Sequence, residues 1–117
     1  MAAHLERGKA CEDSACRFLQ AQGLLLLMRN FSCRLGEIDL IMRDKEALVF
    51  IEVRYRASAS HGGAAATVTL TKQRKLVRAA QVFLQTRNHY QELPCRFDVL
   101  AMDGANEVEW IQDAFQL

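Results

Sequence analysis

Two segments between Gly36 and Arg56 constrain this chain more than any other part of it. Gly36-Glu37-Ile38-Asp39-Leu40-Ile41-Met42-Arg43 and Leu48-Val49-Phe50-Ile51-Glu52-Val53-Arg54-Tyr55-Arg56 are short, largely apolar and separated by a polar turn, the pattern of a β-hairpin. With Asp44-Lys45 at the centre of the turn, Met42 faces Ala47, Glu37 lies opposite Glu52, and Asp39 lies opposite Phe50. Alternation then puts Ile38, Leu40, Val49, Ile51 and Val53 on one apolar face. The other face carries Ile41, Leu48 and Phe50 near the turn, and Glu37, Asp39, Glu52 and Arg54 at the far end. Asp39 and Glu52 come out as diagonal neighbours, about 7–8 Å apart or less at Cβ.

Carboxylates crowded on one sheet face need a counter-charge. Two unit charges about 6 Å apart at an effective dielectric near 20 repel by roughly 3 kcal/mol. Arg54, two residues beyond Glu52 on the same face, can answer this as part of a structural ion-pair network. A hard divalent cation held by Asp39 and Glu52 can answer it equally, since Mg²⁺ takes one or two carboxylates and completes its shell with water and phosphate oxygens. Spacing alone leaves both open.

Two helices bear on the same question. Residues 4–22 have helical spacing in Leu5, Gly8, Ala15, Phe18 and Leu19, with Gly23 as a stop signal. Glu12 lies along that apolar stripe, where it either snorkels at the edge or reaches the carboxylates. A second helix, capped by Thr69 or Thr71 and running to about Asn88, buries Leu76, Ala80, Phe83 and Leu84. Lys72 falls on its inner line, whereas Arg74, Arg78, Gln81 and Gln85 follow the solvent line. A lysine in the first turn opposes the helix dipole, which suits a nearby anion or carboxylate site.

Further strands are expected at Leu24–Asn30, Arg96–Met102 and Val108–Gln112, the last after an Asp103-Gly104 turn. The order is α-β-β-β-α-β-β, an α/β sandwich around a mixed sheet. At 117 residues the chain is one domain, and with half its residues apolar and a quarter charged it is not a disordered segment. Residues 57–67, small and low in information, are expected to form a mobile loop that orders against a substrate. The longest apolar runs, Leu24 to Met28 and Ala47 to Ile51, are far short of the ~20 residues of a membrane span. The opening Met1-Ala2-Ala3-His4-Leu5-Glu6-Arg7 lacks a signal-peptide layout, so a cytoplasmic location is expected. Cys11, Cys16, Cys33 and Cys95 form no C-x-x-C pair and are read as reduced, mostly buried thiols. His61, alone in the loop, is given no role; Phe83, Phe97 and Trp110 are read as core.

The net charge of +1 hides an asymmetry. From Arg54 to Gln91 there are seven basic side chains and no acid, whereas from Glu92 onward one basic residue stands against six acids. An acid-free stretch of this length favours a polyanionic partner. Arg56, Arg74, Lys75, Arg78 and Arg87 suit phosphate contacts, which fix register on a nucleic acid without reading sequence. The competing reading is a solvated helix face.

The strings Gly36-Glu37-Ile38-Asp39-Leu40-Ile41 and Phe50-Ile51-Glu52-Val53 resemble the bacterial YraN family of endonuclease-like proteins. Asn30, Lys72, Ala79-Ala80 and Arg96-Phe97-Asp98-Val99 extend the resemblance over nearly the whole chain. That family is similar to a small branch of the PD-(D/E)XK nuclease superfamily, close in layout to Holliday-junction resolvases. The resemblance implies a restriction-endonuclease-like α-β-β-β-α-β core. It implies Asp39 as the motif aspartate, Glu52 as its second acid, Arg54 in the lysine position and Glu12 as an additional helix acid. It also implies Mg²⁺ or Mn²⁺ held by Asp39, Glu52 and the Val53 carbonyl against a scissile phosphate. Arg54 departs from the pattern, because arginine supplies charge and a fork of donors but no base near neutral pH. Lys72 is the candidate to stand in from the helix. Asp98 is given no role beyond a pair with Arg96.

Three readings follow. The leading one is a metal-dependent endonuclease-like protein acting on DNA, branched DNA in particular, with a homodimer fitting symmetric cleavage. The alternative is a non-catalytic nucleic-acid-binding or adaptor domain with the same fold, and Arg54 divides the two. The third is a protein-interaction domain whose acidic cluster is a salt-bridge network.

Overall fold

A left-handed residue closes the first helix and a threonine hydroxyl opens the second, so chemistry legible in the sequence marks one boundary of each. In the computed structural model α1 spans Ala2–Ala21 and stops before Gly23, whose φ of 100° no L-residue adopts cheaply. Helix α2 spans Leu70–Thr86, and the Thr69 side chain accepts the Lys72 N–H at 3.2 Å, satisfying one orphan donor of the first turn. The strands are β1 (Leu25–Cys33), β2 (Gly36–Asp44), β3 (Ala47–Arg56), β4 (Cys95–Asp103) and β5 (Val108–Phe115). The structure describes residues 2–56, 68–87, 90–103 and 107–116, with backbone alone for residues 2–8 and 56. The expected loop 57–67, with His61, lies outside them. No described helix is long and apolar enough to cross a membrane.

The expected order α-β-β-β-α-β-β is the observed one. The strands form a single mixed sheet in chain order, antiparallel except for the parallel pair β3–β4, which α2 connects as a crossover. Each face has its own core. Cys11, Ala15, Cys16 and Leu19 of α1 pack on Leu40, Met42, Val49, Ile51, Leu100 and Met102. Leu76, Ala79, Ala80 and Phe83 of α2 pack on Ile38, Ile41, Leu48, Phe50, Phe97, Val99 and Ala101. The layers are therefore helix, sheet, helix, with α1 and α2 on opposite sides. All four thiols are free; Cys11 and Cys16 are buried, Cys33 and Cys95 half-buried.

Three expectations are corrected. The turn between β2 and β3 is Lys45-Glu46, with Asp44 paired to Ala47, one residue later than the expected Asp44-Lys45. Asp44 stays in the strand because its carboxylate meets the Arg96 guanidinium at 3.0 Å, and Lys45 takes the left-handed φ of 56°. The ladder consequently runs Leu40↔Ile51 and Ile41↔Phe50, so one further step would set Asp39 against Glu52, not Phe50. Second, Ile38 does not share a face with Leu40; it packs in the α2 core while Leu40 packs in the α1 core. Third, β1 does not end at Asn30. It continues to Cys33 through Asn30, whose φ of 54° bends the strand, and Arg29↔Leu40 and Phe31↔Ile38 pair on either side of that bend. Asn30 and Asp39 thus mark one place where two neighbouring strands exchange their inward faces.

Asp98 has a clear structural role. Fully buried, it accepts from Arg96 Nε at 3.0 Å, Trp110 Nε1 at 2.9 Å and the Asp113 N–H at 3.0 Å. Its bonds to Trp110 and Asp113, each strengthened by the carboxylate charge, tie β4 to β5. The expected Arg96 pair completes the set.

Candidate functional site

The exchange of faces at Asp39 turns its carboxylate toward β3 at the point where the β2–β3 ladder stops. There Asp39 Oδ2 accepts the Val53 N–H at 2.9 Å, replacing the main-chain bond that regular pairing would have made. In a strand the N–H and C=O of one residue point to the same edge, so the Val53 carbonyl also faces this gap.

Glu52 comes to the same gap from the α2 side. Its side chain is only 5% exposed, with Oε2 3.4 Å from Arg54 Nε and 3.7 Å from Lys72 Nζ. Burial is the largest influence on its acidity, followed by the neighbouring Asp39 charge, with which it also shares a hydrogen bond. Lys72 and Arg54 pull the other way and are outweighed, so the carboxyl is pushed up from the usual 4.5 to about 7. When protonated, Glu52 can donate to the neighbouring Asp39, which relieves the repulsion between two acids in contact.

Glu12 approaches from α1, at the edge of the apolar stripe. Burial and the Asp39 charge push its pKa up, while hydrogen bonds from Asn30 and Arg29 and the Arg29 charge pull it down, and the upward influences prevail. Arg29 Nη2 lies 3.7 Å from Glu12 and 2.6 Å from Asp13, the tighter partner. Cys11 points its thiol at the Arg54 carbonyl at 3.9 Å, and its pKa is raised by burial, then by Glu12 and Asp39. Asp39 is therefore the centre of an acidic group fed from both faces of the sheet.

Two carboxylates in contact, short of full neutralisation, together with a strand-edge carbonyl, are hard oxygen donors of the kind Mg²⁺ and Mn²⁺ take. Among the described residues no three His, Cys, Asp or Glu side chains form a ready-made cage. An ion here would be held by Asp39, Glu52 and the Val53 carbonyl and would take its remaining ligands from water or phosphate, so the donor set fits the smaller requirement of Mg²⁺.

The basic residues divide. Lys72 reaches Glu52, as its inner-line position suggests. Lys75 is exposed and, with Lys72, lines an open groove of about 480 Å³ against Ser32, Cys33, Arg34, Leu35, Gly36 and Glu37, the tip of the β1–β2 hairpin. Arg74 is about 160° round the helix from Lys72. It lines a different groove with Arg78, Leu70, Gln73, Val77, Gln81 and Gln116. Arg87 lies over the Phe83 ring at 5.3 Å. The Arg56 side chain lies outside the described part. Sequence reasoning misses Arg34, because ending β1 at Asn30 hides the Cys33–Gly36 tip. Gly36 is the usable signal: a Cβ there would sit 2.8 Å from the Lys75 carbonyl oxygen, so only glycine lets the hairpin close on α2.

Comparisons with known proteins agree over nearly the whole chain. The model of "Uncharacterised protein family UPF0102" matches residues 11–102, which include Glu12, Asp39, Glu52, Arg54 and Lys72. A UPF0102 protein of Nitrosococcus oceani is 50% identical over 119 residues, covering 99% of this chain and 96% of the relative. One from Saccharophagus degradans is 53% identical over 117 residues, covering 100% and 98%. A third, UPF0102 protein HEAR0176 of Herminiimonas arsenicoxydans, is 54% identical over 110 residues, covering 93% and 86%. With this coverage, the chain belongs to the UPF0102 family, the YraN family whose motifs the sequence resembles.

Proposed function

We propose that this protein is a metal-dependent endonuclease-like protein that binds DNA and hydrolyses its phosphodiester bonds, with branched DNA as the favoured form. The observation that carries the reading is the pairing of Asp39 and Glu52 at the end of the β2–β3 ladder, with Lys72 and Arg54 on the Glu52 oxygen. Burial and the adjacent Asp39 push the Glu52 carboxyl up to about 7 despite the two cations beside it, which fits two acids gathered at one buried point. A divalent cation bound between Asp39 and Glu52 would relieve the repulsion of two acids held this close more fully than the partly exposed Lys72 and Arg54.

Asp39, Glu52 and the Val53 carbonyl would hold Mg²⁺ or Mn²⁺, which on binding polarises a phosphoryl oxygen and lowers the pKa of an attacking water. The chain's own groups do the rest. Because burial holds a proton on Glu52 more tightly than on a free carboxyl, protons would compete with a cation held there, and metal affinity would rise with pH. Arg54 presents a planar fork of donors suited to a phosphate. Lys72, on the other side of the same carboxylate, supplies the amine that the strand position lacks. Glu12 orients water on the α1 side of Asp39. Symmetric cutting of branched DNA needs two such sites, so a pair of copies is the working unit.

A second reading is favoured by one residue. Arg54 supplies charge and donors where the motif's lysine would stand, but no general base, and a site without a base binds metal and DNA without cutting. Titration of Mn²⁺ and Mg²⁺ into wild type, Asp39→Asn and Glu52→Gln, with a four-way junction and a linear duplex present, separates the two. Cleavage that needs both carboxylates supports the nuclease. Metal-linked DNA binding without cleavage supports the non-catalytic domain, and wild type that binds no metal refutes both metal readings.

A further inference from the structure

The groove at the β1–β2 hairpin tip is connected to the carboxylate site through a shared residue. Lys72 belongs to both: its ammonium lies 3.7 Å from Glu52, and its side chain lines the groove beside Lys75 and Arg34. Its charge is committed to Glu52. Arg34 and Lys75, by contrast, make no ion pair or hydrogen bond through their side chains among the described residues, and both are exposed. Among the described residues the only acid on the lining is Glu37, so the groove carries uncompensated positive charge. Leu35, 47% exposed, gives the same lip an apolar surface.

The hairpin is held in place by α2. Gly36 brings the β2 backbone against the Lys75 carbonyl, an approach that any side chain would break. Behind it, Phe31 packs edge-on against Phe83 of α2 at 5.4 Å between ring centres. Arg34 and Lys75 are thus carried by two elements locked together, which fixes the relative placement of the backbones that bear the two cations.

Resting on the nucleic-acid reading above, we infer that this groove is a second phosphate site, which holds the DNA backbone next to the scissile linkage through Arg34 and Lys75. Leu35 meets the adjoining sugar. The backbone then leaves the carboxylates past the hairpin tip and not along the outer face of α2, where Arg74 and Arg78 line a separate groove. Arg34 and Lys75 position the strand and do not touch the reacting atoms.

Fluorescence anisotropy with a labelled four-way junction tests this on the full chain across a range of salt. The variants are Arg34→Glu/Lys75→Glu and Arg74→Glu/Arg78→Glu, all at exposed positions, with unfolding temperature as the check on folding. The hairpin pair should weaken binding by at least tenfold and reduce the salt slope by about two, near 0.9 for each phosphate no longer neutralised. The α2 outer pair should change affinity by less than about threefold, the mark of a solvated face. Equal weakening in both variants, or weakening only in Arg74→Glu/Arg78→Glu, overturns the groove while leaving the nucleic-acid reading intact. Wild type that binds no junction even at low salt overturns the nucleic-acid reading itself, and the groove with it.

Discussion

Replacing Glu52 by glutamine tests the electrostatics of the site without a nuclease assay. The fold prefers Glu52 protonated, since its pKa rises from the usual 4.5 to about 7 on burial beside Asp39. Between those values the native protein binds more protons than the unfolded chain, so stability falls as pH rises through this window. At about 1.4 kcal/mol for each tenfold change, the interval from 4.5 to about 7 amounts to roughly 3 kcal/mol, lost by pH 8. Glutamine has the shape of the protonated acid and can donate to Asp39 at every pH. Lys72 and Arg54, each about one-third exposed, remain hydrated without their partner. Glu52→Gln is therefore expected to match wild type at pH 4 and to exceed it by roughly 3 kcal/mol at pH 8, near 10 °C in unfolding temperature for a domain of this size. Thermal unfolding followed by circular dichroism at both pH values measures the gap. A variant less stable than wild type at pH 8 would show that the ion pairs with Lys72 and Arg54 outweigh burial and the Asp39 repulsion, leaving Glu52 satisfied as a salt-bridge partner.

Removing Lys72 should move the pKa of Glu52 further up, since the ammonium is the first influence lowering it; the pH midpoint of Mn²⁺ binding to Lys72→Ala, read by electron paramagnetic resonance, should rise, and an unchanged midpoint would refute the coupling. Asp98→Asn should cost roughly 3 kcal/mol by leaving the half-buried Arg96 without its main counter-charge. Trp110 fluorescence should shift with it, and a denaturation midpoint within error of wild type would refute the bracing role. Gly36→Ala should cost roughly 1–3 kcal/mol as the hairpin is forced off the Lys75 carbonyl, and undiminished stability in urea would count against that close approach. Mg²⁺ should raise the unfolding temperature of wild type at pH 8 and leave Asp39→Asn unmoved, because only a site with both acids gains from the cation.

The secondary structure is legible in the sequence because the apolar periodicities are strong and the punctuation is chemical: Gly23 ends α1, and Thr69 caps α2. The inward placement of Lys72 is legible for the same reason, as it shares one side of the helix with Leu76 and Phe83. What the sequence hides lies at Asn30 and Asp39. Strict alternation along Ile38, Leu40 and Ile51 assumes a flat ladder, and the left-handed Asn30 breaks it, sending Ile38 and Leu40 into different cores. Local chemistry misplaces the turn by one residue because Asp44 reads as a turn former, while Arg96, more than fifty positions away, keeps it in the strand. Asp98 looks idle in the sequence because two of its partners, Trp110 and the Asp113 backbone, come from a strand that pairs with it only in the folded sheet.

The two-core arrangement has a consequence for assembly. Glu12 arrives with α1 and Lys72 with α2, and among the described residues no apolar cluster joins the two helices across the sheet. The full constellation around Asp39 therefore acts as a coincidence detector for folding: it exists only when both helices have docked on their separate faces. Without docked α1 the carboxylate pair has no Glu12 beside it, and without docked α2 it has no Lys72. Assembly of this cluster and completeness of the fold are one and the same condition.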